Sequence, residues 1–355
     1  MKFGLVGLPA SGKTSVFNAI LGLSRSVGTY SEKAAVDRAT ARLADERLDQ
    51  LAATVGSKKA SCATVDLADV TALLTGSGTA REVDGEILHA VRQMDAYLVV
   101  LRAFEDAGVL HPLGSVDPAR DLAEVETELV VADLGIVERR IERLEANIRK
   151  GAPTREADAQ EAGVLRRCRE ALEAGGAVRD VALSAEEERR LHSFSFLTRR
   201  PFLVVFNTSE GALSDAPSEL VGRPCVAVSA KIESELAELD ESERAAFAES
   251  LSIKEPAAGR VLGAALSALG MGRFYTAGPR EARAWLFREG ETALDCAGKV
   301  HSDIARGFIA CEVVRVEDVV AHGGYKAAKA AGCERVEGKE YRVRDGDVLT
   351  VRFSA

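Results

Sequence analysis

The hydrophobic pattern of the chain alternates between short apolar runs and longer stretches with helical periodicity. The apolar runs cover residues 2–6 (KFGLV), 62–67 (CATVDL), 96–104 (AYLVVLRAF), 201–207 (PFLVVFN) and 224–230 (PCVAVSA). Runs of this length are typical of buried strands, and the stretches between them have the spacing of amphipathic helices. The alternation predicts βαβ units, and therefore an α/β fold with a mostly parallel sheet.

A long helical pattern interrupts this alternation between residues 117 and 150. Apolar residues recur there about every 3.5 positions, the spacing of a coiled coil. They are Leu122, Val125, Leu129, Ala132, Ile136, Ile141, Leu144 and Ile148. A Gly-Ala-Pro break at 151–153 separates this stretch from a second amphipathic one at 156–174. The pattern predicts two antiparallel helices that form a coiled-coil arm inserted into the α/β domain.

The pattern changes again beyond Gly270, where short β-like runs return with many glycines. The run YRVRDGDVLTVRF at 341–353 contains Asp345-Gly346, a strong hairpin signal. These changes predict three domains. They are an α/β domain formed by residues 1–116 and 196–270, a helical arm at 117–195, and a β-rich domain at 271–355.

Composition narrows the class of protein. With 46% hydrophobic and 28% charged residues, the 355-residue chain resembles an ordinary globular protein, and its apolar runs are too short to cross a bilayer. The net charge of −9 argues against a chain that coats nucleic acid. Its six cysteines lie far apart, without metal-ligand spacing. We therefore expect a cytoplasmic protein with no membrane or DNA partner.

A phosphate-binding loop follows the first strand, because residues 7–14 read GLPASGKT. Gly7 and Gly12 let successive backbone N–H groups face phosphate oxygens, Lys13 reaches the β and γ phosphates, and Thr14 offers its hydroxyl to Mg²⁺. A strand before the loop and an amphipathic helix after it make the pattern specific. The predicted nucleotide-binding residues of this loop are Gly7, Leu8, Pro9, Ala10, Ser11, Gly12, Lys13, Thr14 and Ser15.

A phosphate loop needs a second carboxylate to hold the metal ion. Asp66 closes the strand CATVDL, one crossover after the loop, and is the candidate. We therefore predict that Thr14 and Asp66 hold Mg²⁺.

Two later segments predict how the base is read. Residues 207–210, NTSE, end a strand at the point where a GTPase would carry Asn-Lys-x-Asp. Thr208 and Glu210 replace the Lys and Asp, which removes the guanine clamp, while Asn207 can still bond a purine. SAKIE follows after one more strand and adds Ser229, Ala230 and Lys231 to the predicted nucleotide-binding residues, with Asn207 and Glu210. The segments favour ATP, and GTP stays open as an alternative.

Together these residues resemble the YchF family of Obg-related P-loop ATPases (Obg-like ATPases). The resemblance spans essentially the whole chain and includes GLPASGKTSVFNAI, RLDQLA (47–52), TELVVADLGIVERRI (127–141), SFLTRRP (195–201) and SAKIESELAEL (229–239). The block FYTAGPREARAWLFREGETALDCAGKVHSDIARGFIACEVV (274–314) looks like the family's TGS domain.

The resemblance implies a GTPase-like P-loop domain, an inserted antiparallel coiled-coil arm and a C-terminal ubiquitin-like TGS β-grasp domain. It further implies preference for ATP, slow Mg²⁺-dependent hydrolysis and association with the ribosome or ribosomal RNA. We expect a monomer.

The resemblance also implies a catalytic residue. Family members carry a hydrophobic residue where Ras-like enzymes have the glutamine that aligns water, and Val70 stands there in this chain. They use instead a histidine in a pattern resembling H-x-x-G-x-V-x-P. HPLGSVDP at 111–118 gives His111 that role, and an imidazole that titrates near neutrality suits it.

Both segments that would sense the γ-phosphate depart from the family. If DLAD is the DxxG motif, Asp69 replaces its glycine, and a carboxylate there would repel a triphosphate unless it turns outward or binds metal. In YSEKAAVD at 30–37, Lys33 falls where the family's threonine would reach Mg²⁺. Two alternatives to a slow ATPase therefore stay open: a nucleotide-binding interaction module with little or no hydrolysis, and a GTPase.

Overall fold

A computed structural model describes residues 1–23, 36–70, 85–151, 153–213, 216–251, 253 and 255–354. Lys33 and the segment directly after Val70 lie outside the described residues. In this part of the chain, no helix is both long enough and apolar enough to cross a membrane.

Strands and helices alternate through the first part of the chain, as predicted. The strands are β1 (Lys2–Val6), β2 (Val36–Arg42), β3 (Ala60–Ser61), β4 (Thr64–Val70), β5 (Ala96–Ala103), β6 (Phe202–Thr208), β7 (Glu219–Leu220), β8 (Arg223–Val228), β9 (Met271–Ala277), β10 (Ala282–Arg288), β11 (Phe308–Arg315), β12 (Arg335–Glu337) and β13 (Asp347–Phe353). The helices are α1 (Lys13–Leu21), α2 (Glu46–Val55), α3 (Gly85–Arg92), α4 (Pro118–Arg149), α5 (Arg155–Glu173), α6 (Ala185–Leu191), α7 (Ala230–Glu238), α8 (Glu241–Ser250), α9 (Ala257–Ala268), α10 (Ala293–Val300), α11 (Ser302–Arg306), α12 (Val316–Ala321) and α13 (Tyr325–Ala330).

The described residues form two compact units, the first made of Met1–Ala39 and Asp66–Ala257 and the second of Thr40–Val65 and Ala258–Ala355. The sheet to which the first unit contributes has the order β2-β4-β1-β5-β6-β8-β7. β1 pairs in parallel with β4 and β5, β5 with β6, and β6 with β8, while β7 is antiparallel to β8. The predicted α/β fold with a mostly parallel sheet is confirmed.

The helical arm consists of α4 and α5, which pack side by side. Asp117 begins α4 by accepting a hydrogen bond from the Arg120 N–H, and Pro118 occupies the first turn, where a missing N–H costs nothing. The two helices enclose an apolar core of their own that includes Ile141, Leu144, Leu165 and Cys168. Because a short turn joins them, they run antiparallel, as predicted.

The second unit contains a mixed sheet of order β12-β11-β13-β9-β10-β3. α10 contributes Ala293 and Cys296 to a core shared with Phe274 and Val313. This is the β-rich C-terminal fold that the sequence predicts.

Residues 40–65 belong to the second unit as well, which the sequence pattern did not anticipate. β3 pairs with β10, and the Tyr275 hydroxyl donates a 2.7 Å hydrogen bond to Asp45, the residue that caps α2. The domain boundaries stated above remain predictions.

Candidate functional site

The phosphate loop leaves β1 at Val6 and enters α1 at Lys13. Gly7 passes so close to the neighbouring strand that a Cβ there would lie 2.3 Å from the Val100 carbonyl oxygen. Gly12 has φ 86°, and a Cβ on it would lie 2.1 Å from the Asn207 amide nitrogen. Ala10 also has a positive φ, 62°. These two glycines are therefore required by close packing as well as by backbone conformation.

Lys13 bends back over this loop. Its Nζ donates hydrogen bonds of 2.9 Å and 2.8 Å to the carbonyl oxygens of Gly7 and Leu8, and the side chain is almost fully buried. Burial lowers the pKa of Lys13 from its usual 10.5 to about 8, and the nearby Asp69 carboxylate partly opposes the shift. Because the ammonium group is desolvated and bonded only to neutral carbonyl oxygens in these two contacts, an anion that binds beside it would be stabilised.

Asp69, and not Asp66, lies beside the phosphate loop. In the parallel pairing of β1 with β4, Asp69 is level with Leu5 near the carboxyl end of β1, whereas Asp66 is level with Lys2 at its start. Three residues of a strand span about 10 Å. The Thr14 hydroxyl donates a 2.5 Å hydrogen bond to Asp69 Oδ2, while Asp66 is exposed. The structure therefore places Asp69, and not the predicted Asp66, beside Thr14.

The environment of Asp69 suits a cation. Its other oxygen, Oδ1, is buried and has no hydrogen-bond partner among the described residues. Burial raises the pKa of Asp69, the bonds and charges of Thr14 and Lys13 oppose the shift, and Asp37 on β2 adds to it. A hydroxyl and an under-bonded carboxylate oxygen are the hard ligands that Mg²⁺ prefers.

This position also changes the interpretation of DLAD. If the DxxG motif begins at Asp69 and not at Asp66, then Asp69 is its first carboxylate, and the position of the glycine falls at residue 72, outside the described residues. Val70 is buried in the core. The order of strand, loop and strand in the sequence indicates that β4 ends near the phosphate loop. Only the register between β1 and β4 shows which of its two aspartates, Asp66 or Asp69, lies beside that loop.

Asn207 ties the two predicted nucleotide-binding segments together. Its Nδ2 donates to the Ser11 carbonyl oxygen at 3.1 Å, and its Oδ1 accepts from the Ala230 N–H at 3.2 Å. The side chain is buried, so its main contacts are with the protein. Asn207 therefore holds the phosphate loop against the loop that contains Ser229.

The other residues predicted to read the base lie around this tie. Ser229 and Ala230 are buried at the start of α7, and Lys231 is exposed one residue further on. Glu210 is exposed just after β6. Thr208 is buried, and its hydroxyl donates to the Ala103 carbonyl oxygen at 3.3 Å.

The remaining predicted loop residues have ordinary roles. Leu8 packs into the apolar core and Ser11 is buried with its hydroxyl unbonded among the described residues. Pro9 and Ser15 are half-buried.

His111 lies in the segment between β5 and α4, with its side chain 5% exposed. Its ring nitrogens bond Asp121 and the backbone of Leu113, and not residues of the phosphate loop. The preceding segment is held by Arg102, whose guanidinium donates to three carbonyl oxygens, those of Phe104, Asp106 and Val109.

Comparison with known proteins adds independent information. A family model called YchF-GTPase_C, described as a protein of unknown function (DUF933), matches residues 271–354. The ribosome-binding ATPase YchF of Bacillus subtilis is 37% identical, over 99% of this chain and 98% of its own length. Obg-like ATPase 1 of Oryza sativa is 30% identical, over 100% of this chain and 92% of its own.

A solved structure agrees with these relatives. The chain matches the structure of the Schizosaccharomyces pombe YchF GTPase with a TM-score of 0.79 and 27% identity, covering 99% of this chain and 97% of the other.

Proposed function

Because this chain belongs to the YchF family, we propose that it is a cytoplasmic, nucleotide-binding P-loop protein. It hydrolyses ATP slowly, depends on Mg²⁺ and associates with the ribosome or ribosomal RNA. The names of the Bacillus subtilis and Escherichia coli relatives, both called ribosome-binding ATPases, support the ribosomal partner. The observation that carries the proposal is the loop in which Lys13, Thr14 and the Asp69 carboxylate meet.

Phosphate binding follows from the loop's geometry. The backbone from Gly7 to Gly12 curls before α1, and the N-terminus of that helix favours negative charge. On arrival of a triphosphate, the Lys13 ammonium exchanges the carbonyl oxygens of Gly7 and Leu8 for phosphate oxygens. Thr14 and Asp69 would hold Mg²⁺, which neutralises charge on the phosphates.

Preference for ATP rests on the segment after β6. Thr208 has no charge, and its hydroxyl is already bonded to the Ala103 carbonyl oxygen. Glu210 stands where a GTPase has the aspartate that accepts two hydrogen bonds from guanine. Its extra methylene displaces the carboxylate, so guanine loses its strongest partner.

Binding and turnover can be tested on purified protein. We expect ATP to displace a labelled nucleotide at lower concentration than GTP, and Lys13→Met to weaken both nucleotides. The control is Lys150→Met, at an exposed residue at the end of α4. A clear preference for GTP would contradict the proposed base selection, and full binding by Lys13→Met would contradict the proposed site.

One observation favours the alternative, a nucleotide-binding module with little or no hydrolysis. Both ring nitrogens of His111 are hydrogen-bonded within the protein. A single-turnover assay with and without ribosomes separates the two functions. Release of phosphate above background that falls with His111→Ala supports the ATPase, and no release in either condition supports the module.

A further inference from the structure

The hydrogen bonds of His111 determine where its proton lies. The Leu113 backbone N–H lies 3.1 Å from Nδ1 and can only donate, so Nδ1 accepts. Nε2 lies 2.9 Å from Asp121 Oδ2, and the carboxylate can only accept, so Nε2 carries the proton. The ring is thus held as a single tautomer.

This arrangement leaves His111 without a lone pair for water. A general base must present an unprotonated nitrogen to the proton that it removes. Here the lone pair of Nδ1 faces the Leu113 amide, and Nε2 donates to a carboxylate that is 2% exposed. His111 must therefore leave these partners before it can orient or deprotonate water.

The carboxylate that holds His111 is itself held. Asp121 Oδ1 accepts from Arg120 Nε at 3.1 Å and from Nη2 at 2.7 Å. Arg120 also donates to the Ser115 hydroxyl and carbonyl oxygens, at 3.0 Å and 2.6 Å. Two residues of the first turn of α4 thus bind the segment that contains His111 from both of its ends.

The segment between these attachments is short. Arg102 holds the chain up to Val109, and Asp117 caps α4. Between them, Leu110 is 88% exposed, and Gly114 has φ 84° with open space around its α-carbon. Rotation about the backbone between 110 and 116 can turn the imidazole while the bonds of Arg102 and the Asp117 cap stay in place. It breaks the packing of Leu113 against the sheet's core and the 3.0 Å hydrogen bond from the Gly114 N–H to the His111 carbonyl oxygen.

We propose that Asp121 and Arg120 form a latch that keeps His111 in a non-catalytic arrangement, and that this latch must open before His111 acts on water. The inference rests on the proposed catalytic role of His111. Asp121 lies on the first turn of α4, and the neighbouring Leu122 and Val125 pack into the sheet's core, so the latch is attached to the nucleotide-binding unit. Asp121 and Arg120 are positioning residues, and the latch accounts for slow hydrolysis by the isolated protein.

The test is Asp121→Asn, which keeps the shape and removes the charge. His111 and Arg120 bind different oxygens of the carboxylate, and an amide has only one oxygen, so one of the two donors loses its acceptor and the latch loosens. We expect kcat for ATP to rise about tenfold with KM unchanged, because a charge-assisted hydrogen bond is roughly twice as strong as a neutral one. An unchanged kcat would overturn the latch. A lower kcat would also overturn it, because it would mean that Asp121 orients His111 for catalysis.

Further variants separate the latch from the catalytic role. If His111→Ala hydrolyses ATP as fast as the unaltered protein, the catalytic role of His111 fails. If His111→Ala is slow but Asp121→Asn is no faster than the unaltered protein, the latch fails. The double variant must be as slow as His111→Ala. Glu161→Gln, which breaks the arm's Arg140–Glu161 ion pair away from the latch, should leave kcat unchanged.

A spectroscopic measurement keeps the test decisive if Asp121→Asn is unstable. Nitrogen-15 NMR of labelled histidine, with His111 assigned from its loss in His111→Ala, should report a protonated Nε2 and a bonded Nδ1. Arg120→Lys, the second variant, should shift these signals toward the tautomer mixture of a free imidazole. Signals of a tautomer mixture in the unaltered protein would overturn the proposal.

Discussion

Among single residues, Asp69 is a carboxylate in a desolvated environment beside the phosphate loop. Its carboxylate is 2% exposed, and one oxygen lacks a hydrogen-bond partner in the described part of the chain. A buried carboxylate of this kind lowers the stability of the protein unless a cation binds it. By our proposal, Asp69 therefore lowers the free energy of unfolding of the unliganded protein but provides a ligand for Mg²⁺.

We predict opposite effects of Asp69→Asn on stability and on metal dependence. Without Mg²⁺, Asp69→Asn should raise Tm at pH 7, because it removes a desolvated charge and keeps an acceptor for Thr14. The Mg²⁺-dependent part of the nucleotide affinity should fall by ~10-fold or more, equivalent to about 1.4 kcal/mol. Calorimetric titration with and without Mg²⁺ measures it. Asp66→Asn is the matched control, and loss of Mg²⁺ dependence there instead would restore Asp66 as the ligand.

The lowered pKa of Lys13 predicts a pH dependence with a definite sign. Its pKa is about 8 in the folded protein, against the usual lysine value of 10.5. Between these values the unfolded chain binds a proton that the folded protein lacks, so this residue's contribution to stability rises with pH. Bound phosphates favour the charged ammonium, and nucleotide binding should therefore take up a proton.

Titration calorimetry in buffers of different ionisation enthalpy measures that proton. We expect uptake near pH 8.5 and much less at pH 7, where Lys13 is already charged before binding. Equal uptake at the two values would mean that Lys13 is not the group that titrates.

At the scale of elements, the arm has a core separate from that of the sheet. Val137, Ile141, Leu144 and Leu165 pack with one another, whereas the sheet's core includes Val99 and Val204. Asp133 on α4 accepts from the N–H groups of Leu197 and Thr198, which fixes the base of the arm against the segment that enters β6. Beyond Asp133, the two helices are joined by this apolar seam and by the ion pairs Arg140–Glu161 and Arg166–Glu145.

Leu165→Ala should therefore destabilise the arm locally. The side chain is fully buried, and such truncations cost about 2–5 kcal/mol. Hydrogen exchange should accelerate in α4 beyond Val137 and in α5, while nucleotide affinity stays unchanged. The exposed arm residue Glu173, changed to Ala, serves as the control. Exchange that accelerates equally in the strands of the sheet, or loss of nucleotide binding, would contradict an independent arm core.

At the scale of the whole molecule, the chain crosses between its two units three times, because Thr40–Val65 belongs to the second one. Each unit has its own apolar core. Nucleotide binds, by our proposal, in the first unit. Bound nucleotide should then stabilise the first unit against unfolding and leave the unfolding of the second unit unchanged.

We expect calorimetric unfolding in two transitions, of which ATP with Mg²⁺ raises one. At a ligand concentration of 100 Kd the stabilisation is about 2.7 kcal/mol. Val205→Ala in β6 should lower the ATP-sensitive transition, and Val313→Ala in β11 the other. A single transition that both variants lower equally would show that the two units unfold together.

Sequence reasoning succeeded where the relevant chemistry is contiguous. GLPASGKT, the arm's seam and the β-rich C-terminal run each lie in one stretch, so their periodicity or spacing predicts the structure. It did not separate Asp66 from Asp69, because the register between β1 and β4 is set by backbone pairing between distant segments. It also missed the bonds of His111 to Asp121 and the placement of residues 40–65, both of which depend on tertiary packing.

The Asn207 amide packs against Gly12, although the two residues lie far apart in the sequence. Any side chain at position 12 would collide with the amide that also holds Ala230. Single substitutions at either position should therefore damage the site, and the positive φ of Gly12 means that a smaller residue at 207 would not make room for a side chain there. A redesign of base preference should leave both positions untouched while altering Thr208 and Glu210.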